Sequence, residues 1–257
     1  MFNIEIKRMT EKNNNLDNQT ITPLKATQLQ GEDKRQYIHT LFDNIATKYD
    51  FIRTIVFLGQ TSAWYRQALR DLELQPGMKV LDVGCGTGES TRFLTNSYPD
   101  IEVEGLDLSP RMLEVARNWD SVSNYFEGDV CNIERPDGSY DLVITAFTFR
   151  NFPDKQTSLQ EMIRVLRPGG RLLILDHFQP QKILLKQAYT FWMSQIVPQI
   201  VKPFIEDSTP YRYLAQSIIN QLSMSEFAEL INGFGAKVTE TNFYGGGASG
   251  RLIAIKD

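Results

Sequence analysis

Cysteine and histidine are scarce: the chain has Cys85, Cys131, His39 and His177 and no others. Two isolated cysteines make neither a disulfide framework nor a zinc-ligand pattern, so no metal is expected and a reducing cytoplasm is the expected compartment. Long apolar runs are also missing. Nothing reaches the roughly 18–20 residues a membrane span needs, and the opening Met1-Phe-Asn-Ile-Glu-Ile6 has no apolar core of a signal peptide. Positive charge is not in excess, with 27 Lys and Arg against 31 Asp and Glu. That balance excludes a general nucleic-acid binder. No strongly basic amphipathic helix announces a membrane surface, although peripheral membrane contact stays open for a substrate with a lipid tail. What the chain does have is 42% hydrophobic residues over 257 positions, enough to bury a large core.

Residues 1–33 are rich in Asn, Gln, Thr, Lys and Glu and read as a flexible tail. The alternating Phe2-Asn-Ile-Glu-Ile6 allows an added strand instead. The remainder, 34–257, reads as a single domain. Tyr37, Ile38, Leu41, Phe42, Ile45 and Tyr49 form a helical stripe, and Ser62–Leu72 is a second helix, giving a helical lid over 34–76. Strands and helices then alternate through a core at 78–180. Val80–Val83, Ile101–Asp107, Tyr125-Phe126, Tyr140–Phe147 and Arg171–Asp176 read as strands. Ser109-Pro110 starts one helix with a cap and a first-turn proline, and Lys155–Leu166 is another, closed by Arg167-Pro-Gly-Gly170. Such alternation predicts a parallel, doubly wound α/β sheet. An aromatic insert occupies 181–222. Ser225–Ile231 is then a capped helix, and two strands, Ala236–Phe243 and Arg251–Lys256, flank Gly245–Gly250 as a hairpin.

The stretch Val80-Leu-Asp-Val-Gly-Cys-Gly-Thr-Gly88 organises the chain. A buried strand, a glycine turn and a helix start bring backbone N–H groups up to a ligand. The G-x-G-x-G spacing is neither the dinucleotide G-x-G-x-x-G nor a P-loop. Asp107 ends the second strand about 20 residues on, where a carboxylate accepts hydrogen bonds from both hydroxyls of a ribose; as an alternative it belongs only to the start of the next helix. Asp129, after Gly128, can take an adenine amine or be an ordinary turn residue. Asp82, inside a buried strand, must be paired, either holding the glycine loop or meeting a cationic ligand.

Taken together, the glycine motif, Asp107, Gly128-Asp129 and Arg164-Val-Leu-Arg-Pro-Gly-Gly170 resemble class I S-adenosylmethionine-dependent methyltransferases. That resemblance implies a Rossmann-like seven-stranded sheet of order 3-2-1-4-5-7-6 with an antiparallel last strand. It also implies S-adenosylmethionine as cofactor, leaving as S-adenosylhomocysteine. A narrower resemblance, to the UbiE/MenG/COQ5 C-methyltransferases of quinone synthesis, rests on three separated stretches. They are Leu41-Phe-Asp-Asn-Ile-Ala-Thr-Lys-Tyr-Asp50, Phe149-Arg-Asn151, and Tyr211-Arg-Tyr-Leu-Ala-Gln-Ser-Ile218. Gly59-Gln60 and Trp64 agree with it too. It implies cofactor contacts from Tyr49, Asp82, Gly84, Gly86, Thr87, Gly88, Asp107, Leu108, Asp129, Val130 and Ala146. Arg150, Asn151, His177, Tyr189, Trp192 and Tyr211 would face a small aromatic substrate. The insert would then roof an apolar pocket, or else pack the lid or a homodimer interface.

Departures from the family lie on the substrate side: Phe51-Ile-Arg-Thr-Ile55, Asp176-His-Phe178 and Gly245-Gly-Gly-Ala-Ser-Gly-Arg251. They suggest methylation kept with an altered acceptor, a small aromatic or polyketide-like molecule in place of a long-tailed quinol. His177, at the end of the fifth strand, is the candidate general base, because an ordinary imidazole pKa near 6.5 suits that task. Arg150 as phenolate stabiliser and Tyr49 as relay complete the catalytic candidates; His39 reads as a lid or surface residue. The leading expectation is C-methylation of a phenolic or quinol-type aromatic. Alternatives are O- or N-methylation of a specialised metabolite, a cyclase that binds S-adenosylmethionine without transferring its methyl, and a nicotinamide dehydrogenase.

Overall fold

The computed structural model describes residues 21–178, 182–204 and 209–257. Its centre is one seven-stranded sheet of order β3-β2-β1-β4-β5-β7-β6. The strands are β1 Lys79–Val83, β2 Glu102–Asp107, β3 Asn124–Glu127, β4 Tyr140–Ala146, β5 Leu166–His177, β6 Ala236–Tyr244 and β7 Ser249–Lys256. The first five run parallel, with Val80 opposite Leu142 and Val143 opposite Leu172; β7 pairs antiparallel with both β5 and β6. The order is the expected one. It places the carboxyl ends of β1, β2 and β4 side by side, where such sheets bind ligands.

Strand residues alternate between two cores. Val80, Leu142, Ile144, Leu173 and Leu175 face one side, packing with Trp64, Tyr65, Leu69 and the insert. Leu81, Val83, Val143, Leu172 and Ile174 face the other, packing with Leu159, Met162, Phe227 and Ile231. The central strands are therefore apolar on both faces, which explains why their sequence shows continuous runs. Each fully buried aliphatic contributes about 1.5–3 kcal/mol, so the sheet is a rigid base for whatever its loops hold.

Helices α1 Pro23–Gln28, α2 Gly31–Val56 and α3 Gln60–Leu69 cover the carboxyl edge. The first two enter the segment read as a tail. Thr22 caps α1 and Ala26 is buried against Ile38, Leu41 and Tyr213, so the lid begins earlier than the polar composition suggests. Residues 1–20, including Phe2–Ile6, lie outside the described residues. Helix α2 also continues past Tyr49 to Val56, and Gly59, at φ 71°, then turns the chain into α3.

Behind the sheet edge stand α4 Glu89–Ser97, α5 Pro110–Trp119 and α6 Lys155–Val165. Ser109 caps α5 with a hydrogen bond from Met112 N, with Pro110 in its first turn as expected. The insert after β5 is helical: α7 Ile183–Phe191, a π turn Trp192–Ile196, α8 Val197–Val201 and α9 Thr209–Ile219. Helix α10, Met224–Asn232, opens with a reciprocal Ser223–Glu226 capping box. Among the described residues, no helix is long and apolar enough to cross a membrane.

Candidate active site

Two adjoining cavities lie under α2. The first, about 790 Å³ and partly open to solvent, sits over the carboxyl ends of β1, β2 and β4. Gly84, Gly86, Thr87, Asp107, Leu108, Asp129, Val130 and Ala146 line it, as the sequence implies. The glycines divide the work. Gly86, at φ 55°, has no atom within 4 Å of where a Cβ would stand, so its backbone is open to a ligand. At Gly88, φ 78°, a Cβ would meet the Tyr125 hydroxyl at 2.5 Å. Gly88 is not among the residues lining the cavity; packing behind the loop requires a glycine there.

Asp82 is set back as well. Its Oδ2 accepts hydrogen bonds from Ser90 Oγ and Thr91 Oγ1, both at 2.6 Å, while Oδ1 has no partner. Burial pushes its pKa up to about 6 against those two bonds. Of its two readings, the geometry favours the one in which it holds the glycine loop to α4. Asp107 Oδ2 accepts from Gly86 N at 2.8 Å and its Oδ1 from Ser109 N at 2.9 Å. It therefore ties the loop to the start of α5 while facing the cavity, and burial raises its pKa.

Helix α2 meets these loops with a polar row. Arg35 Nε donates to Asp129 at 3.2 Å, Ser109 Oγ donates to Asp43 at 3.0 Å, and Thr87 Oγ1 donates to Asp50 at 2.8 Å. Arg53 pairs with Asp50 at 3.1 Å and with Glu89, and its guanidinium lies 5.4 Å from the centre of the Tyr49 ring. Burial lowers the Arg53 pKa, but Tyr65 and Tyr49 beside it, and then Glu89 and Asp50, hold it above its ordinary value. The four residues recur along the helix, with Arg53 lining the cavity. Asp43 and Asp50 lie within the Leu41–Asp50 stretch, but their roles in this row do not show in sequence, because a charged helical row usually marks a solvated face.

The second cavity, about 530 Å³, is deeper and mostly apolar. It shares Phe42, Tyr49, Arg53, Phe147 and Asn151 with the first. Arg150, His177 and Tyr211 line it as expected. Tyr189 and Trp192 do not. Both pack against the core, and Trp192 Nε1 donates to Val56 O at 3.3 Å, so the insert roofs the site from behind α2. Phe147 carries φ 59°, a conformation that strains a non-glycine residue. It stands at the junction of the cavities, and sequence gave no sign of it.

His177 is 1% exposed and stacked between Phe57 (ring centres 4.2 Å) and Phe147 (4.5 Å). Its Nδ1 has no hydrogen-bond partner. Burial first, and then the Arg150 charge, hold its pKa well below 6.5. The argument for a base rested on an unperturbed imidazole, and this environment removes it: His177 is neutral and can accept a hydrogen bond. Arg150 is held by Asp176 at 2.7 Å, by Ser217 Oγ at 3.2 Å and by the Phe147 carbonyl. Tyr211 keeps a buried hydroxyl without a partner among the described residues. His177 and Tyr211, each with a buried polar atom that lacks a partner among the described residues, thus line the second cavity beside Arg53, Arg150 and Asn151, with the remaining wall mostly apolar.

Comparison with known proteins agrees with this geometry. The model of the ubiE/COQ5 methyltransferase family matches residues 30–256. A demethylmenaquinone methyltransferase of Staphylococcus haemolyticus is 34% identical over 227 residues, 87% of this chain and 95% of that protein. One from Thermotoga maritima is 36% identical, covering 81% of this chain and 92% of the relative. Solved S-adenosylmethionine-dependent methyltransferases share the fold. One from Thermotoga maritima (TM-score 0.61, 21% identity) covers 86% of this chain and 100% of its own, and one from Aquifex aeolicus (0.57, 20%) covers 81% and 98%. With a family model spanning the sheet, the lid and both cavities, this chain belongs to the ubiE/COQ5 methyltransferase family and is an S-adenosylmethionine-dependent methyltransferase.

Proposed function

We propose that the enzyme methylates a ring carbon of a phenolic or quinol-type aromatic, with S-adenosylmethionine in the first cavity and the acceptor in the second. The observation that carries this reading is the meeting of the two cavities at Tyr49 and Phe147, with unpartnered His177 Nδ1 and Tyr211 Oη in the acceptor wall. A hydroxylated ring supplies the partners those buried atoms lack, and its apolar body suits the rest of the wall. The relatives' name, demethylmenaquinone methyltransferase, supports a quinone-type acceptor. The departures at Phe51–Ile55, Asp176–Phe178 and Gly245–Arg251 favour testing smaller aromatics beside it.

S-adenosylmethionine supplies a methyl group on a positively charged sulfur. The chain's task is alignment and charge. Asp107 and Asp129 orient the nucleoside, and Gly86 gives the close backbone approach. Tyr49 closes the junction, so that donor and acceptor are held in line at about 3 Å, which lowers the entropic part of the barrier. Neutral His177 accepts the acceptor's hydroxyl hydrogen bond, and the Arg150 guanidinium favours the phenolate that makes the neighbouring carbon electron-rich, the hydroxyl proton passing to water. The ring proton of the methylated carbon then leaves to water as aromaticity returns, so that, with the phenol restored, one methyl is gained and one proton released.

Incubating the enzyme with S-adenosylmethionine and a panel of quinols and small phenols tests this, with mass analysis and NMR of the product. One added ring methyl and stoichiometric S-adenosylhomocysteine are expected. A methyl on oxygen or nitrogen, or a rearranged product without methyl gain, would replace the proposal with the corresponding alternative. Tyr211→Phe should raise KM for the acceptor roughly 3- to 10-fold with little change in kcat, as loss of one hydrogen bond of about 0.5–1.5 kcal/mol predicts. An unchanged KM would remove Tyr211 from acceptor binding.

A further inference from the structure

A third cavity, about 1260 Å³ and partly open to solvent, lies on the far side of Arg150. Its lid wall is the end of α1 and the start of α2, including Lys34. Its core wall is 150 and 152–156, including Arg150 and Lys155. Three basic residues therefore line one space. Arg150 is neutralised by Asp176. Lys34 and Lys155 have no carboxylate oxygen within 4.0 Å among the described residues. The one carboxylate in the wall, Asp154, is engaged in capping α6, accepting from Gln156 N, Thr157 N and Thr157 Oγ1 at 2.9–3.1 Å.

Lys34 is the unusual member. It is 3% exposed, and a buried lysine normally has a carboxylate partner. Its ammonium donates to Tyr213 Oη at 2.8 Å and to Ala26 O at 3.1 Å, which leaves one of three N–H bonds for another acceptor. Burial, and then repulsion from Lys155 and Arg150, press its pKa down to about 8. Lys155, half-buried in the first turn of α6, is lowered by burial, with distant Asp176 opposing. Lid and core thus bring to one cavity two lysine charges that no carboxylate compensates among the described residues, Lys34 lying also 4.8 Å from the centre of the Tyr213 ring.

We propose that this cavity binds a phosphate-class dianion, free or as a phosphomonoester, held between Lys34 of the lid and Lys155 of the core. A dianion matches the two uncompensated charges, and its several oxygens can accept from both walls at once. The site adjoins the two methyl-transfer cavities, sharing Arg150 with the second and Phe152 and Pro153 with the first, but its two lysines line neither of them and the proposal does not depend on what the acceptor is.

The test uses the full chain at fixed ionic strength set with potassium chloride. Thermal unfolding and calorimetric titration are recorded with inorganic phosphate in one arm and glycerol 3-phosphate in the other. A saturable rise in the unfolding midpoint beyond the chloride control is expected in at least one arm. A response to inorganic phosphate identifies a free-ion site, and a response to the ester alone identifies a phosphomonoester site. Lys155→Gln should weaken the apparent affinity at least 10-fold. It should also raise the midpoint of the ion-free protein, because its repulsion with Lys34 is gone. Lys34→Met should weaken binding as well; should it fail to fold, Lys155→Gln alone decides. No saturable shift in either arm, or the same shift in Lys155→Gln as in the parent, overturns the proposal.

Discussion

Asp107→Ala should lower the affinity for S-adenosylhomocysteine by roughly 100-fold or more while leaving the sheet folded. Its carboxylate receives Gly86 N at 2.8 Å and Ser109 N at 2.9 Å, and it lines the first cavity. Removing it withdraws the acceptor proposed for the ribose hydroxyls. It also orphans the N–H group that sets the most open part of the glycine turn. Hydrogen bonds to a charged group are worth about 1.5–3 kcal/mol each, so two lost together reach about 3 kcal/mol or more, a factor above 100 in dissociation constant. Asp107→Asn keeps shape and one acceptor but sets an amide donor against one of the two backbone N–H groups. It should fall between the parent and the alanine variant. Calorimetry with S-adenosylhomocysteine gives the affinities, and thermal unfolding separates lost binding from lost fold. An affinity within about 3-fold of the parent in Asp107→Ala would mean that the nucleoside is held by other groups.

The cofactor half of the site was legible because its residues sit at strand ends, where short motifs report local geometry. Asp107 ends the strand Ile101-Glu-Val-Glu-Gly-Leu-Asp107 and precedes Ser109-Pro110, and both sides of that boundary have a physical reading. The same proximity could not choose between the two readings of Asp82 and did not reveal the packing at Gly88. A motif says which residues surround a turn, not which of them point outward, and both face the packing behind it. The lid was harder. Arg35, Asp43 and Asp50 find partners 94, 66 and 37 residues away, and no local pattern encodes such pairings. Arg53 lies inside Phe51–Ile55, one of the stretches that departs from the family. The departure was visible in the sequence; that it places a guanidinium between the two cavities was not. At Tyr189 and Trp192 aromatic composition was read as a pocket lining, whereas the rings close the core beneath the roof.

His177→Phe should cut turnover about 100-fold while S-adenosylhomocysteine affinity stays within about 2-fold. Phenylalanine preserves the aromatic stack with Phe57 and Phe147 and the edge contact with Trp64 at 5.7 Å. What disappears is Nδ1, the acceptor proposed for the substrate hydroxyl. Alanine is a poorer probe, since emptying a buried aromatic position costs about 3–5 kcal/mol in stability and would mix packing with chemistry. The pH dependence follows from the same burial. The folded imidazole titrates well below its ordinary 6.5. As pH falls through 6.5 the unfolded chain takes up a proton that the folded chain refuses. His177 therefore contributes stability that is complete above 6.5 and lost as pH falls toward the folded value, with a slope of up to about 1.4 kcal/mol per pH unit. His177→Phe should flatten that part of the stability curve between pH 6.5 and 5. In the parent enzyme, kcat should show no limb near 6.5 belonging to His177. If instead an ionisation near 6.5 governs kcat and vanishes in His177→Phe, the imidazole is a titrating base in the working enzyme. The stacked, water-excluded position would then have to open during turnover. Unchanged turnover in the variant would take His177 out of the reaction and leave phenolate stabilisation to Arg150.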